Sequence, residues 1–297
     1  MSGPLEGRVA LVTGAGRGLG RAYALALAER GARVAVNNRS EAPAHDVVAE
    51  IAARGGEAVA CPGDLEDAAV AKAVVANAVD ALGRLDVVVD NAGGAELPQV
   101  PFPDIAPADR DALMRQNFTT AWDVTAAAWP HLVDSGTGRV VLCGSPISLY
   151  GSPGFAHYAA AKAALIGLGR TLAVEGEEHG IAVNTVLPVA DTRRDPDDSP
   201  FYRWFAANLP VERVAALVAW LADPRCEASG EVLSVAGPRV ARVSLAQSRG
   251  YVDGAETFTA DSIAANWEAV DANRAELDFG SMGAMMAHWH EVFGPVE

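Results

Sequence analysis

Tyr158 and Lys162 stand four residues apart in Tyr158-Ala159-Ala160-Ala161-Lys162, a spacing that puts a phenol and an ammonium on one face of a helix. A tyrosine titrates near ~10 when unperturbed, and a fixed positive charge beside it favours the ionised form. The pair therefore suits proton transfer, with Lys162 expected to lower the pKa of Tyr158. Ser145 lies thirteen residues before Tyr158, just past the apolar run Arg139-Val140-Val141-Leu142-Cys143. That run reads as a buried strand, so the Ser145 hydroxyl is presented at a strand's carboxyl end, where sites on open α/β sheets are found. Taken alone, Tyr-x-x-x-Lys is also an ordinary surface pair on a helix. Its meaning depends on the elements around it.

The first of these is Val9-Ala10-Leu11-Val12-Thr13-Gly14-Ala15-Gly16-Arg17-Gly18-Leu19-Gly20, followed by the helix-forming run from Arg21 to Glu29. Strand, glycine turn and helix follow one another in the order a nucleotide site needs. Glycines let the backbone approach a pyrophosphate closely, and the first amides of the helix offer unpaired donors at the positive end of its dipole.

The spacing Thr-Gly-x-x-x-Gly-x-Gly, together with Tyr-x-x-x-Lys, resembles the short-chain dehydrogenase/reductase family. The resemblance covers roughly residues 7–237. It implies a Rossmann-type, doubly wound, mainly seven-stranded parallel sheet with helices on both faces, with residues 1–237 forming the dinucleotide-binding and catalytic domain. Cofactor contacts are then expected from Gly14, Gly16, Arg17, Gly18, Leu19 and Gly20. Asp90-Asn91-Ala92-Gly93-Gly94 matches the family's Asn-Ala-Gly segment, which implies that Asn91, Ala92 and Gly93 lie beside the cofactor. Asp64-Leu65 matches the pair that meets the adenine ring. Asn117, in the helix-like run from Arg110 to Leu132, matches the asparagine that helps hold a water linking the lysine to solvent. Pro188, Val189 and Thr192 follow the strand Ile181-Ala182-Val183-Asn184-Thr185-Val186-Leu187 and match contacts to the nicotinamide amide and the phosphates. The catalytic set implied is Asn117, Ser145, Tyr158 and Lys162, with Tyr158 as general acid/base, Ser145 polarising the carbonyl, and Lys162 gripping the ribose.

A closer resemblance, to hydroxyacyl-CoA dehydrogenase units of multifunctional β-oxidation enzymes and their stand-alone bacterial relatives, rests on three stretches. These are Arg170–Gly176, Val235–Val243, and Phe258-Thr259-Ala260-Asp261-Ser262-Ile263 with Trp267 downstream. It leaves an acyl thioester, a polyketide-like ketone and a steroid-like alcohol open as substrates. Cofactor choice turns on Asn37-Asn38-Arg39-Ser40, where NAD-selecting relatives place an acid on the ribose hydroxyls. Asn38 stands in that place, and Arg39 can pair with a 2′-phosphate, with Arg17 as a second contact. NADP(H) is therefore expected, with NAD(H) the other reading. A non-redox member of the same fold, such as a cyclase, dehydratase or nucleotide-binding protein, is the rival function, since fold alone does not settle activity.

Composition agrees with an enzyme of this kind. The 297 residues alternate strand and helix patterns, half of them are hydrophobic, and Cys61, Cys143 and Cys226 are too scattered for a disulfide framework. Met1–Gly7 carries neither a basic nor an apolar leader region, and no segment approaches a membrane span, so a cytoplasmic enzyme is expected. A formal charge of −15 and a pI near 4.8 oppose a nucleic-acid partner.

The region 190–210 is charged, proline-bearing and then aromatic (Phe201-Tyr202-Arg203-Trp204-Phe205), and corresponds to the family's substrate lid. Residues 238–297 read as a helical extension packing on the core, the active site or a partner subunit. Ile263, Trp267 and Val270 share one face of an amphipathic helix, and Met282, Met285, Met286, Trp289 and Phe293 continue its apolar content. His288 and His290 are two apart and would point to different faces of a helix, so no metal site is expected. His157 reads as a pocket-rim residue. A homodimer or homotetramer is expected through the helices spanning Arg110 to Leu132 and Phe155 to Glu178.

Overall fold

The apolar tetrapeptide Val9–Val12 forms strand β1, and the glycine turn after it leads into helix α1 (Gly18–Glu29). The alternation continues through β2 (Arg33–Val36), α2 (Glu41–Ala53), β3 (Ala58–Ala60), α3 (Ala68–Leu82) and β4 (Val87–Asp90). Then follow α4 (Pro107–Met114), a π-helical turn (Arg115–Thr119), α5 (Thr120–Ser135), β5 (Arg139–Cys143), α6 (Ile147–Tyr150) and α7 (Ala156–Gly176). The series closes with β6 (Ala182–Val189), α8 (Pro200–Asn208), α9 (Val211–Leu221), β7 (Val232–Ala236) and β8 (Arg239–Arg242). The structure is a computed structural model, which describes residues 3–94, 99–192, 200–248, 250–253, 257–271 and 277–278.

The strand order is β3-β2-β1-β4-β5-β6-β7-β8, with every neighbouring pair parallel except β7 and β8. This is a doubly wound sheet, and the order reverses between β1 and β4, the place where such sheets open a binding crevice. The sheet has eight strands rather than seven. The residues Gly237-Pro238 form a two-residue hairpin turn, pairing Ala236 with Arg239 and adding β8 as an antiparallel edge. Residues with one parity of β1 (Ala10, Val12) pack against α1, α2 and α9, while Val9 and Leu11 pack against α3, α5 and α7. A strand buried on both faces explains why β1, β4 and β5 read as continuous apolar runs instead of alternating ones.

The single helix expected across Arg110 to Leu132 is broken into α4 and α5 by the π turn. There the Asn117 amide donates to the Leu113 carbonyl at 3.1 Å and the Thr120 hydroxyl to the Gln116 carbonyl at 2.8 Å, so side chains take up carbonyls near the break.

The chain divides into a unit Met1–Arg242 and a smaller unit Val243–Glu297. The smaller unit is mixed rather than helical, since β9 (Ala246–Gln247) pairs antiparallel with β10 (Leu277–Asp278) alongside α10 (Ala260–Ala265) and α11 (Trp267–Asp271). The one amphipathic helix expected here is two short helices. Thr259 and Ser262 form a capping box that starts α10, and the Asn266 amide turns back onto the Ser262 carbonyl at 2.8 Å where it stops. Trp267 is 60% exposed, so it does not lie on a buried stripe. Met282, Met285, Met286, His288, Trp289, His290 and Phe293 lie outside the described residues, as does 193–199 of the expected lid. Among the described residues, no helix is long and apolar enough to cross a membrane and no cluster of His, Cys, Asp or Glu could hold a metal ion.

One polar cluster braces α1 against α9. Buried Asp223 accepts from Arg30 at 2.9 Å and from Arg225 at 2.6 and 2.8 Å, and these guanidinium contacts hold its carboxyl well below the usual carboxylate range. A depressed folded pKa stabilises the fold above the unfolded value, and that contribution is lost as pH falls through the folded one. Asp223→Asn should cost about 2 kcal/mol, less than the ~3–5 kcal/mol of a fully buried pair because both arginines reach solvent. Thermal unfolding at neutral pH should show the loss, and the gap to wild type should narrow on acidification.

Candidate active site

At the carboxyl ends of β1 to β6 lies a cleft of about 1080 Å³. Its floor is the glycine turn. Gly14 has φ +59°, and a Cβ there would stand 2.9 Å from the Ala92 Cα; one on Gly20 would stand 2.4 Å from the Gly14 carbonyl oxygen. Only glycine lets α1 and the segment after β4 close on this turn. Thr13 locks that contact, its hydroxyl accepting from the amides of Asn91 and Ala92, both at 2.9 Å, while the Asn91 side chain donates to the carbonyls of Thr13 and Gly14. Helix α1 then starts at Gly18 with no side-chain cap and no acidic residue in its first turn, leaving its leading amides and positive dipole end open to an anion.

Of the residues singled out from the sequence, Gly14, Gly16, Arg17, Gly18, Leu19, Gly20, Asn38, Arg39, Asp64, Leu65, Asn91, Ala92, Gly93, Tyr158, Lys162, Pro188 and Thr192 all line this cleft. Asn117, Ser145 and Val189 do not line it. Asn117 is buried, and it clamps Gly94 by accepting from its amide and donating to its carbonyl, both at 3.0 Å. Ser145 sits just past β5, its hydroxyl accepting from the Ile147 amide at 3.4 Å. Val189 ends β6, half-buried, in register with Ala236 of β7.

Tyr158 and Lys162 project from successive turns of α7, with the Lys162 Nζ 5.9 Å from the centre of the phenol ring. The lysine is 4% exposed and donates to the Cys143 carbonyl at 2.8 Å. Burial draws its pKa down to about 8, against the opposing pull of Cys143 and Asp90. The sequence led us to expect a lowered Tyr158 pKa, whereas burial raises it, and the Ser145 hydroxyl is the group that pulls it back down. The lysine has turned its charge toward the carbonyl at the end of β5, so the desolvation of the phenol prevails.

Sequence reasoning missed Asn37 and Asp90. Asn37, directly before Asn38, is buried and donates to the carbonyls of Cys61 and Gly63 at 3.0 and 3.3 Å while accepting from the Gly14 amide at 3.3 Å. A buried amide at the end of an apolar strand is the signal that could have found it. Asp90, in the segment that matched the family motif, is 4% exposed and accepts from the Thr125 hydroxyl at 2.6 Å.

Residues 8–194 match the family model described as short chain dehydrogenase. The peroxisomal multifunctional enzyme type 2 of Mus musculus is 36% identical over 98% of this chain, which spans only 41% of that longer protein. The crystal structure of a short chain dehydrogenase from Mycobacterium avium superposes with a TM-score of 0.79 at 29% identity, covering 93% of this chain and 98% of that one. Carveol dehydrogenase from Mycobacterium avium, solved in complex with NAD, has a TM-score of 0.72 at 27% identity over 78% of this chain and 97% of its own. The chain belongs to the short-chain dehydrogenase/reductase family of NAD(P)-dependent oxidoreductases.

Proposed function

We propose that the protein is an NADP(H)-dependent ketoreductase or alcohol dehydrogenase in which Tyr158 is the general acid/base. The observation that carries this reading is the convergence of Tyr158, Lys162 and the uncapped start of α1 on one cleft. Its volume of about 1080 Å³ and glycine floor fit a dinucleotide, with the leading amides of α1 for the pyrophosphate and Asp64 and Leu65 for the adenine. As the resemblance implies, Val189 would meet the nicotinamide amide and Thr192 the phosphates, with Pro188 on the cleft wall beside Val189. When bound, the nicotinamide supplies hydride from its C4 to a carbonyl carbon, or takes it from a secondary alcohol.

Tyr158 holds the proton that the carbonyl oxygen receives. Its raised pKa keeps the phenol protonated at neutral pH, which suits reduction, while oxidation gains as pH rises and the phenol ionises. The Ser145 hydroxyl beside the phenol polarises the carbonyl, favouring the charge that develops in the transition state. Lys162 grips the nicotinamide ribose, and Asn117, which pins Gly94, would help hold the water that links Lys162 to solvent.

NADP(H) is favoured over NAD(H) because Arg39 is exposed on the cleft wall and pairs with no acid among the described residues. Asn38 offers an amide where an acid would select NAD, and its own side chain donates to the Ser40 carbonyl at 2.9 Å. The filled set of Asn117, Ser145, Tyr158 and Lys162 favours redox chemistry over a cyclase, dehydratase or binding role. A cytoplasmic homodimer or homotetramer built through α5 and α7 is in keeping with half-exposed Trp122 and Val174 on those helices.

For the substrate, the resemblance to hydroxyacyl-CoA dehydrogenase units puts a 3-ketoacyl thioester first, with polyketide-like and cyclic ketones next. A panel of these, followed by loss of reduced nicotinamide, should show NADPH-dependent turnover on at least one class. Binding of NADPH without turnover on any carbonyl or alcohol would oppose the redox assignment.

A further inference from the structure

A buried ammonium needs a counter-charge, and among the described residues the groups that face Lys162 leave one candidate. Lys162 touches Cys143 on β5 through a neutral carbonyl. The Cys143 thiol is pushed up to about 12 by burial, and burial also raises Tyr23 on α1 and Tyr158 on α7, so all three stay neutral around pH 8. Asp90 ends β4, opposite Leu142 in the neighbouring strand and so one residue from the Cys143 carbonyl that Lys162 binds. Its Oδ2 accepts from Thr125 of α5 at 2.6 Å, and its buried Oδ1 has no hydrogen-bond partner among the described residues.

We propose that Asp90 is the positioning residue for Lys162: a carboxylate sealed behind the cleft that keeps the lysine ammonium charged where the cofactor's ribose would meet it. This rests on the reading of Lys162 given above. The two groups form no direct ion pair, yet each favours the other's charged form. Burial outweighs this for Asp90, whose carboxyl is pushed up to about 7.

The pair has a signature in the unliganded protein. A raised carboxyl stabilises the fold fully below its ordinary value near 3.8 and loses that contribution as pH rises through about 7. A lowered lysine binds fewer protons folded than unfolded between about 8 and 10.5, so stability recovers across that interval. From these two groups, stability should fall on the approach to neutral pH and recover on the alkaline side.

The test compares wild type, Asp90→Asn, Thr125→Val and Lys162→Met in two readouts: thermal stability against pH, and NADPH affinity against pH by fluorescence. With Asp90→Asn the decline of stability toward pH 7 should disappear, and the alkaline loss of NADPH affinity should move down by about one pH unit or more. Thr125→Val keeps the carboxylate but weakens its charged form, so it should move the same limb the same way by less, and it serves if Asp90→Asn does not fold. Lys162→Met should abolish the alkaline limb. Profiles of Asp90→Asn or Thr125→Val that superpose on wild type while Lys162→Met removes the limb would overturn the role of Asp90 alone. A limb that survives Lys162→Met would overturn both Lys162 as the ribose partner and the proposal built on it.

Discussion

Tyr158→Phe should lower kcat for carbonyl reduction by roughly 10²–10⁴-fold, the range that general acid catalysis supplies, while the dissociation constant of NADPH changes by less than about threefold. The phenylalanine keeps the ring beside Lys162 and removes only the proton that the carbonyl oxygen must receive. Initial rates at saturating NADPH and a binding titration separate the two quantities. Because burial holds the phenol protonated, the wild-type reduction rate should be flat through neutrality and fall only on the alkaline side, and the mutant's residual rate should not share that fall. Turnover near the wild-type level would refute Tyr158 as the acid.

Arg39→Ala should weaken NADPH binding by about 10–100-fold, the worth of one charge-assisted contact to a phosphate, and leave NADH binding nearly unchanged. The arginine is exposed on the cleft wall and belongs to no ion pair among the described residues, so its removal disturbs no packing. Rising salt should narrow the difference between wild type and mutant, since an exposed pair is screened. An unchanged NADPH preference would remove Arg39 from the account and return the choice of cofactor to Asn38 and Arg17.

The parts of this molecule that were legible in its sequence are those where local chemistry and fold demand the same residues. The glycine turn could be read because a close backbone approach excludes a Cβ, as Gly14 and Gly20 show against Ala92 and each other. The pairing of Tyr158 with Lys162 could be read because helical spacing alone places them together. What escaped depends on contacts between distant segments. The π turn at Asn117 arises where side chains bind nearby carbonyls, and no hydrophobic periodicity reports it. The direction of the Tyr158 shift escaped because spacing gives the distance to a charge and says nothing of desolvation, which only the packed structure sets. Asp90 was visible as a residue and silent as a charge, since its burial depends on its pairing with β5 and its contact with Thr125 of α5. Strand β8 was missed because Arg239-Val240-Ala241-Arg242, an exposed edge, lacks the apolar run that marks the central strands.

The most direct test of the central claim is a fluorescence titration of the purified protein with NADPH and with NADH. Saturable binding of both with a clear preference for NADPH is the result expected of an oxidoreductase cleft walled by Arg39. Failure to bind either nucleotide would contradict the assignment of the cleft and of every role built upon it.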